Sequence, residues 1–305
     1  MLIYVKLLLT ALFWGGTFVS GRMLSDHVAP CSAAFLRFSV AGISLLLLTW
    51  KTEGRLPPLE KEQLLPVILL GLTGVFSYNI FFFKGLKLIS AGRASLIIAI
   101  NPVFITLLSA FFFRERLNAL KLTGIFLSVT GAVVVISRGD LSGIMGGGLG
   151  WGELMIFGCV ASWVTFSLIG KTVLSGLSPL VSITYAATVG AAALFVPAYM
   201  EGVTGNLFHY SGADWFNIVY LGLFGTVAGF VWYYQGIKSI GPTRAGLFIN
   251  FVPISAILLA FIILNEPVTA SLFVGALLVS SGVWLTNTNF ERKTAPVTSE
   301  REATG

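Results

Sequence analysis

Asn101 and Asn250 are the polar side chains best placed to act on a solute. Each lies inside an apolar run beside a proline, Pro102 or Pro253. A proline removes one backbone hydrogen bond and loosens the turn before it. Carbonyl oxygens are then released to bind a solute or to let a helix bend. The Asn amides add donors and acceptors next to those carbonyls. Each amide alternatively ties off its own kink or bonds a neighbouring helix, and the two roles are compatible. Arg93 and Arg244 stand at the starts of two such runs. A guanidinium there either gates the site and attracts a carboxylate, or snorkels to lipid headgroups. Arg37 lies deeper in its run, where it anchors the helix or meets a backbone carbonyl or a substrate anion. Trp14, Thr17, Tyr78, Asn79, Trp163 and Tyr233 suggest an aromatic cavity with a few polar groups, suited to an amphiphilic solute. The alternative for each ring is plain packing or contact with lipid.

Missing groups narrow the chemistry further. None of the 13 acidic residues falls in the middle of an apolar run, and only Glu153 lies slightly inside one. A proton-coupled exporter of cationic drugs would want a central carboxylate, so a neutral, zwitterionic or anionic solute fits better. His27 and His209 have no metal-ligand spacing around them, and no Cys-x-x-Cys is present. Gly146-Gly147-Gly148 lacks the Lys-Ser/Thr of a phosphate loop. No cofactor, metal or catalytic residue is expected, and the protein is not expected to be an enzyme. Cys31 and Cys159 read as small packing residues.

The elements that must position these groups are membrane helices. Of 305 residues, 56% are hydrophobic and only 10% charged, against about 25% charged in an ordinary soluble domain. Such a chain cannot cover a water-facing surface, which excludes a soluble enzyme or a nucleic-acid binder. Apolar runs at 3–22, 31–50, 64–84, 90–113, 119–137, 151–173, 178–200, 215–237, 242–264 and 269–288 predict ten transmembrane spans, numbered 1 to 10 in that order. The first, with its lone Lys6, reads as an uncleaved span rather than a signal peptide. Gly54, Pro57-Pro58, Gly143 to Gly150 and Gly202 to Gly212 mark connectors. With the N-terminus cytoplasmic, thirteen of the 19 Lys and Arg lie on the cytoplasmic side and five on the other. That bias predicts both termini inside, and the net charge of +6 then needs no anionic partner.

The chain also resembles itself. Displacing it by 151 places residues 71–134 on 222–285 without a gap, with 18 of 64 positions identical. Gly71, Gly74, Gly85, Lys87, Arg93, Pro102, Glu115, Gly124 and Gly131 fall on the same residue types in the second half. A displacement of 149 matches the front parts, Trp14 to Trp163 and Pro30 to Pro179. The protein is therefore two copies of a five-span unit, 3–137 and 151–288, followed by a polar tail, 289–305, read as a disordered cytoplasmic segment. Because five is odd, the copies run in opposite directions. Inverted repeats are the architecture of alternating-access carriers, with the substrate site near the midplane.

Two tandem five-span units resemble the EamA-type carriers of the drug/metabolite transporter superfamily. The resemblance is carried by Trp14-Gly15-Gly16-Thr17-Phe18, Pro30 to Phe38, Ala91 to Pro102 and Arg114-Glu115-Arg116. In the second half it continues with Arg244 to Pro253 and Asn265-Glu266-Pro267. It implies an inner-membrane exporter of an amino acid or another small metabolite, with a cavity formed mainly by spans 1, 3, 4, 6, 8 and 9. Carriers of sugar conjugates or phosphorylated metabolites are the alternative, and a pore or membrane-embedded enzyme is the alternative of another class. The expected partners are a small-molecule substrate and the bilayer, without nucleic acid, in a monomer or homodimer. Prolines and glycines of spans 3, 4, 8 and 9 are expected to supply compliance, with Arg93, Pro102, Arg244 and Pro253 as gate and hinge positions.

Overall fold

The computed structural model describes residues 1–113, 117–140, 150–173 and 176–287. The Arg114-Glu115-Arg116 motif, most of the glycine-rich link and the tail lie outside these residues. Among the described residues ten helices are long and apolar enough to cross a membrane. Spans 1, 2 and 3 are Leu2–Ser25, Pro30–Glu53 and Lys61–Leu86. Span 4 is divided into Ala91–Ile98 and Asn101–Phe113, and span 5 is Ala119–Ile136. Spans 6, 7 and 8 are Trp151–Val173, Pro179–Met200 and Gly212–Ile240. Span 9 runs as Pro242–Leu247 and Phe251–Leu264 around a short 3₁₀ turn, and span 10 is Ala270–Asn287. Large apolar side chains such as Trp50, Phe111 and Phe126 are exposed, as lipid-facing residues must be in a protein whose solvent is hydrocarbon. The protein is an all-α polytopic membrane protein built from two inverted five-helix repeats.

The repeat extends to helix irregularities. Span 3 contains a π-helical stretch, Gly71–Ser77, and span 8 another, Leu223–Ala228. The two overlap within one residue under the 151 displacement. Single π turns inside α-helices are frequent at functional sites. Spans 4 and 9 break just before Asn101 and Phe251, again at matching places. The expected compliance of spans 3, 4, 8 and 9 thus coincides with four visible departures from α-helix.

Packing divides the spans into posts and moving parts. Spans 2 and 7 pack against each other, as do spans 5 and 10. These are the pairs an inverted repeat maps onto themselves. In the second pair glycine lets backbones touch: a Cβ on Gly282 would lie 2.5 Å from the Gly124 oxygen, and one on Gly124 would lie 2.6 Å from the Gly282 oxygen. Small residues at such crossings supply close van der Waals packing where no hydrophobic force acts. Spans 2 and 7 are tied at both ends in mirror fashion. Glu201 accepts from the backbone N–H of Ser32 at 2.8 Å, and Glu53 accepts from the Ser178 hydroxyl at 3.1 Å. Spans 1 and 6 are exchanged between repeats. Span 1 packs on spans 8 and 9, and span 6 on spans 3 and 4.

Candidate functional site: a cavity between the repeats

A cavity of about 700 Å³ lies where the exchanged spans meet. Its wall reaches Gly170, Pro179, Gly246 and Asn287, all near the end of the molecule that carries Met1, here called the near end. Toward the opposite, far end it stops at Phe18, Arg37, Ser95 and Gly225. The cavity is therefore one-sided. Its wall is also paired by the repeat: Trp14 with Trp163, Thr17 with Phe166, Phe18 with Ser167, Ile98 with Ile249, and Pro102 with Pro253. Asn101 matches Val252, and Asn250 matches Ala99, all four on the wall. The places are symmetric while their chemistry is not.

The aromatic part of the wall is continuous. Phe230 stands between the two tryptophans, its ring centroid 5.6 Å from Trp14 and 6.3 Å from Trp163. Tyr233 lies 5.4 Å from Trp14, and Tyr78 lies 5.6 Å from Trp163. The Trp14 indole N–H donates to the Gly225 carbonyl at 3.0 Å. That carbonyl sits in the π-helical stretch of span 8, whose irregular bonding makes it available, so the ring is fixed by the irregularity beside it. Gly229 leaves room for this contact, since a Cβ there would come within 2.5 Å of the indole nitrogen.

Of the sequence-predicted site residues, Trp14, Thr17, Tyr78, Asn101, Trp163, Tyr233 and Asn250 are on the wall, with Pro102 and Pro253. Asn79 is buried off the wall, where its amide donates to the Val75 carbonyl at 2.7 Å and its oxygen accepts from Arg37 at 3.0 Å. Arg93 is also off the wall. Its guanidinium meets Glu153 at 3.0 Å and the Ile136 carbonyl, with both charged side chains buried. Arg244, its repeat counterpart, is exposed, and the position matching Glu153 is Tyr4. Arg37, read from the sequence as an anchor or an anion contact, is also on the wall, and wall residues that the sequence reading did not single out include Ser95, Ser167 and Ser182. Serines in apolar spans give a weak signal because they usually bond the turn behind them. Ser167 does so, donating to the Trp163 carbonyl at 2.7 Å, and Ser95 donates to the Gly92 carbonyl, also at 2.7 Å.

The far end is closed by ties between repeats. Besides Arg93 and Glu153, the Glu266 carboxylate accepts from the backbone N–H groups of Ala91 and Gly92 at 2.9 and 3.2 Å. A carboxylate is well placed at that helix N-terminus, where N–H groups lack intrahelical partners. No group of metal-ligating side chains occurs among the described residues.

A family profile for EamA-like transporters matches residues 1–137 and 150–288, one match per repeat. The chain belongs to the EamA-like transporter family. It is 30% identical to an uncharacterized transporter, YyaM, of Bacillus subtilis (strain 168), over 92% of either chain. It is also 30% identical to a probable terminal-alkyne amino-acid exporter of Streptantibioticus cattleyicolor, again over 92% of either chain. A solved crystal structure shares the fold with a TM-score of 0.62 at 21% identity, covering 93% of this chain and 95% of its own. As a family member the protein is a membrane transporter, and the ten spans carry its two EamA units.

Proposed function

We propose that the protein is a secondary carrier that exports an amino acid or a similarly amphiphilic metabolite across the inner membrane by alternating access. The observation that carries this reading is the one-sided cavity walled by repeat-equivalent residues and closed at the far end by ties between the repeats. The exporter named above, similar along nearly the whole chain, supports the amino-acid part. The distribution of Lys and Arg supports a cytoplasmic near end with both termini inside, so the cavity in this conformation faces the cytoplasm.

In the proposed cycle the solute enters from the near end and settles between Trp14 and Trp163. The breaks before Asn101 and Phe251 and the π-helical stretches of spans 3 and 8 take up the motion. Arg93–Glu153 and the Glu266 cap release as the far end opens. Asn101, Asn250, Thr17, Tyr78 and Tyr233 contact the solute, Pro102 and Pro253 are hinges, and Arg93 and Arg244 belong to opposite gates. Asn79 acts indirectly by holding Arg37.

Efflux from proteoliposomes preloaded with mixed amino acids and small metabolites, read by mass spectrometry, tests this. Selective, saturable loss of a few solutes is expected, with counterflow. Asn101→Ala should reduce it by roughly tenfold, the cost of one or two hydrogen bonds to a polar solute. Loss ordered by size alone, without saturation, would mean a pore and end the carrier reading.

A further inference from the structure

Among the described residues four buried side-chain polar atoms lack a hydrogen-bond partner: Arg37 Nε, Arg93 Nε, Asn101 Oδ1 and Ser182 Oγ. Three of these four belong to residues on the wall of the cavity described above. Buried polar groups in folded proteins are normally satisfied, so their concentration here marks a place where a polar ligand completes the bonding.

Arg37 is central to it. The residue is 8% exposed, and its guanidinium is held by neutral groups. Nη1 donates to Asn79 Oδ1 at 3.0 Å and Nη2 to Thr226 Oγ1 at 3.4 Å. Both acceptors are themselves oriented. Asn79 donates through its amide to the Val75 carbonyl, and Thr226 donates its hydroxyl proton to the Leu221 carbonyl. The Phe38 ring covers the guanidinium at 5.1 Å. Among the described residues no carboxylate pairs with Arg37, and it is the only charged one on the cavity wall. A buried cation in a membrane protein is costly and needs compensation. The cluster is also confined to one repeat, since Ala186, Phe230 and Val75 stand at the matching places of Arg37, Asn79 and Thr226.

We infer that Arg37 is the carboxylate subsite of this cavity, and that the solute is a small monocarboxylate with an apolar body, α-amino acids included. Nε has no partner and Nη2 is weakly engaged; the two form one edge of the guanidinium, with Nε just beneath the surface in this conformation. A carboxylate accepts two parallel hydrogen bonds from such an edge. One buried positive charge balances one carboxylate, whereas a phosphate dianion would leave a negative charge without a counterpart. The apolar body lies on the wall of Trp14, Phe230 and Trp163. Asn101 Oδ1 is a neutral acceptor for an amino group where one is present. This inference rests on the carrier reading for the identity of the cavity as a transport site, but not for the binding it requires.

Two measurements separate them. Tryptophan fluorescence of the purified full chain is titrated with leucine, N-acetylleucine, leucinamide and N-acetylleucinamide, four solutes with one side chain and different charges. Counterflow of the same four is followed in proteoliposomes. The two carboxylates should bind at least about tenfold more tightly than the two amides, the worth of paired hydrogen bonds to a charged group. Arg37→Gln should remove that preference while leaving the neutral N-acetylleucinamide within about twofold. Arg37→Lys, which keeps the charge and loses the fork, should retain part of it. Equal binding of acids and amides by the unaltered protein would overturn the inference without any variant. So would a carboxylate preference that survives Arg37→Gln. Carboxylate-selective binding without counterflow would uphold the subsite and overturn the carrier reading.

Discussion

Glu153→Gln should open the far end of the protein. The substitution leaves Arg93 buried without its counter-charge, with only neutral acceptors, the new amide oxygen and the Ile136 carbonyl. Removing one partner of a buried pair typically costs about 3–5 kcal/mol. That cost falls on the conformation in which Arg93 stays buried, and water relieves it once the far end opens. A shift in population of roughly tenfold or more toward the far-open state follows. The readout is labelling of Ser95→Cys, a wall residue at the far limit of the cavity, by an impermeant maleimide, with Cys31 and Cys159 replaced by alanine. Far-side labelling should accelerate by that factor. The exchanged pair Arg93→Glu with Glu153→Arg should return it toward the original rate. Unchanged labelling in Glu153→Gln would show that the ion pair does not hold the far end shut.

The second large effect is expected in the posts. Gly282→Ala places a methyl group against the Gly124 oxygen and the Ser128 nitrogen, both at 2.5 Å. These are backbone atoms and cannot swing aside, so spans 5 and 10 must separate. Overpacking of this kind costs about 1–3 kcal/mol, and a fall in melting temperature of roughly 5 °C or more is expected. Gly42→Ala is the control, because a Cβ on Gly42 meets nothing within 4 Å. Equal melting temperatures for the two variants would mean that the close approach contributes nothing to stability.

Much of the architecture was legible before the structure. Span number and limits follow from long apolar runs, which lipid demands whatever the packing. The predicted first and fourth runs, for example, differ by at most a turn from Leu2–Ser25 and the divided Ala91–Ile98 and Asn101–Phe113. The breaks were readable because prolines act locally. The π-helical stretches were not, since their sequence trace is only the matched pair of glycines at 71 and 74 and at 222 and 225. Side-chain partnerships were largely illegible. Arg93 and Glu153 are 60 positions apart in different repeats, and no periodicity links them. Asn79 reads as a cavity residue because it is polar and deep in span 3. In the structure that polarity is directed to Arg37 instead. Arg37 itself was left between anchor and anion site, because its sequence does not show that the acceptors around it are neutral.

The restriction of the Arg37 cluster to one repeat has a kinetic consequence. If the scaffold can reach two access states that mirror each other, a single unmirrored charge makes the two faces inequivalent. An uncoupled carrier must still satisfy detailed balance, so this inequivalence cannot drive net movement. It appears instead in rate constants: half-saturation concentrations measured from the two faces should differ. The ratio of maximal flux to half-saturation concentration should nevertheless be the same in both directions. For such a carrier the solute gradient sets the direction of net flow, and the lone arginine sets which face saturates first.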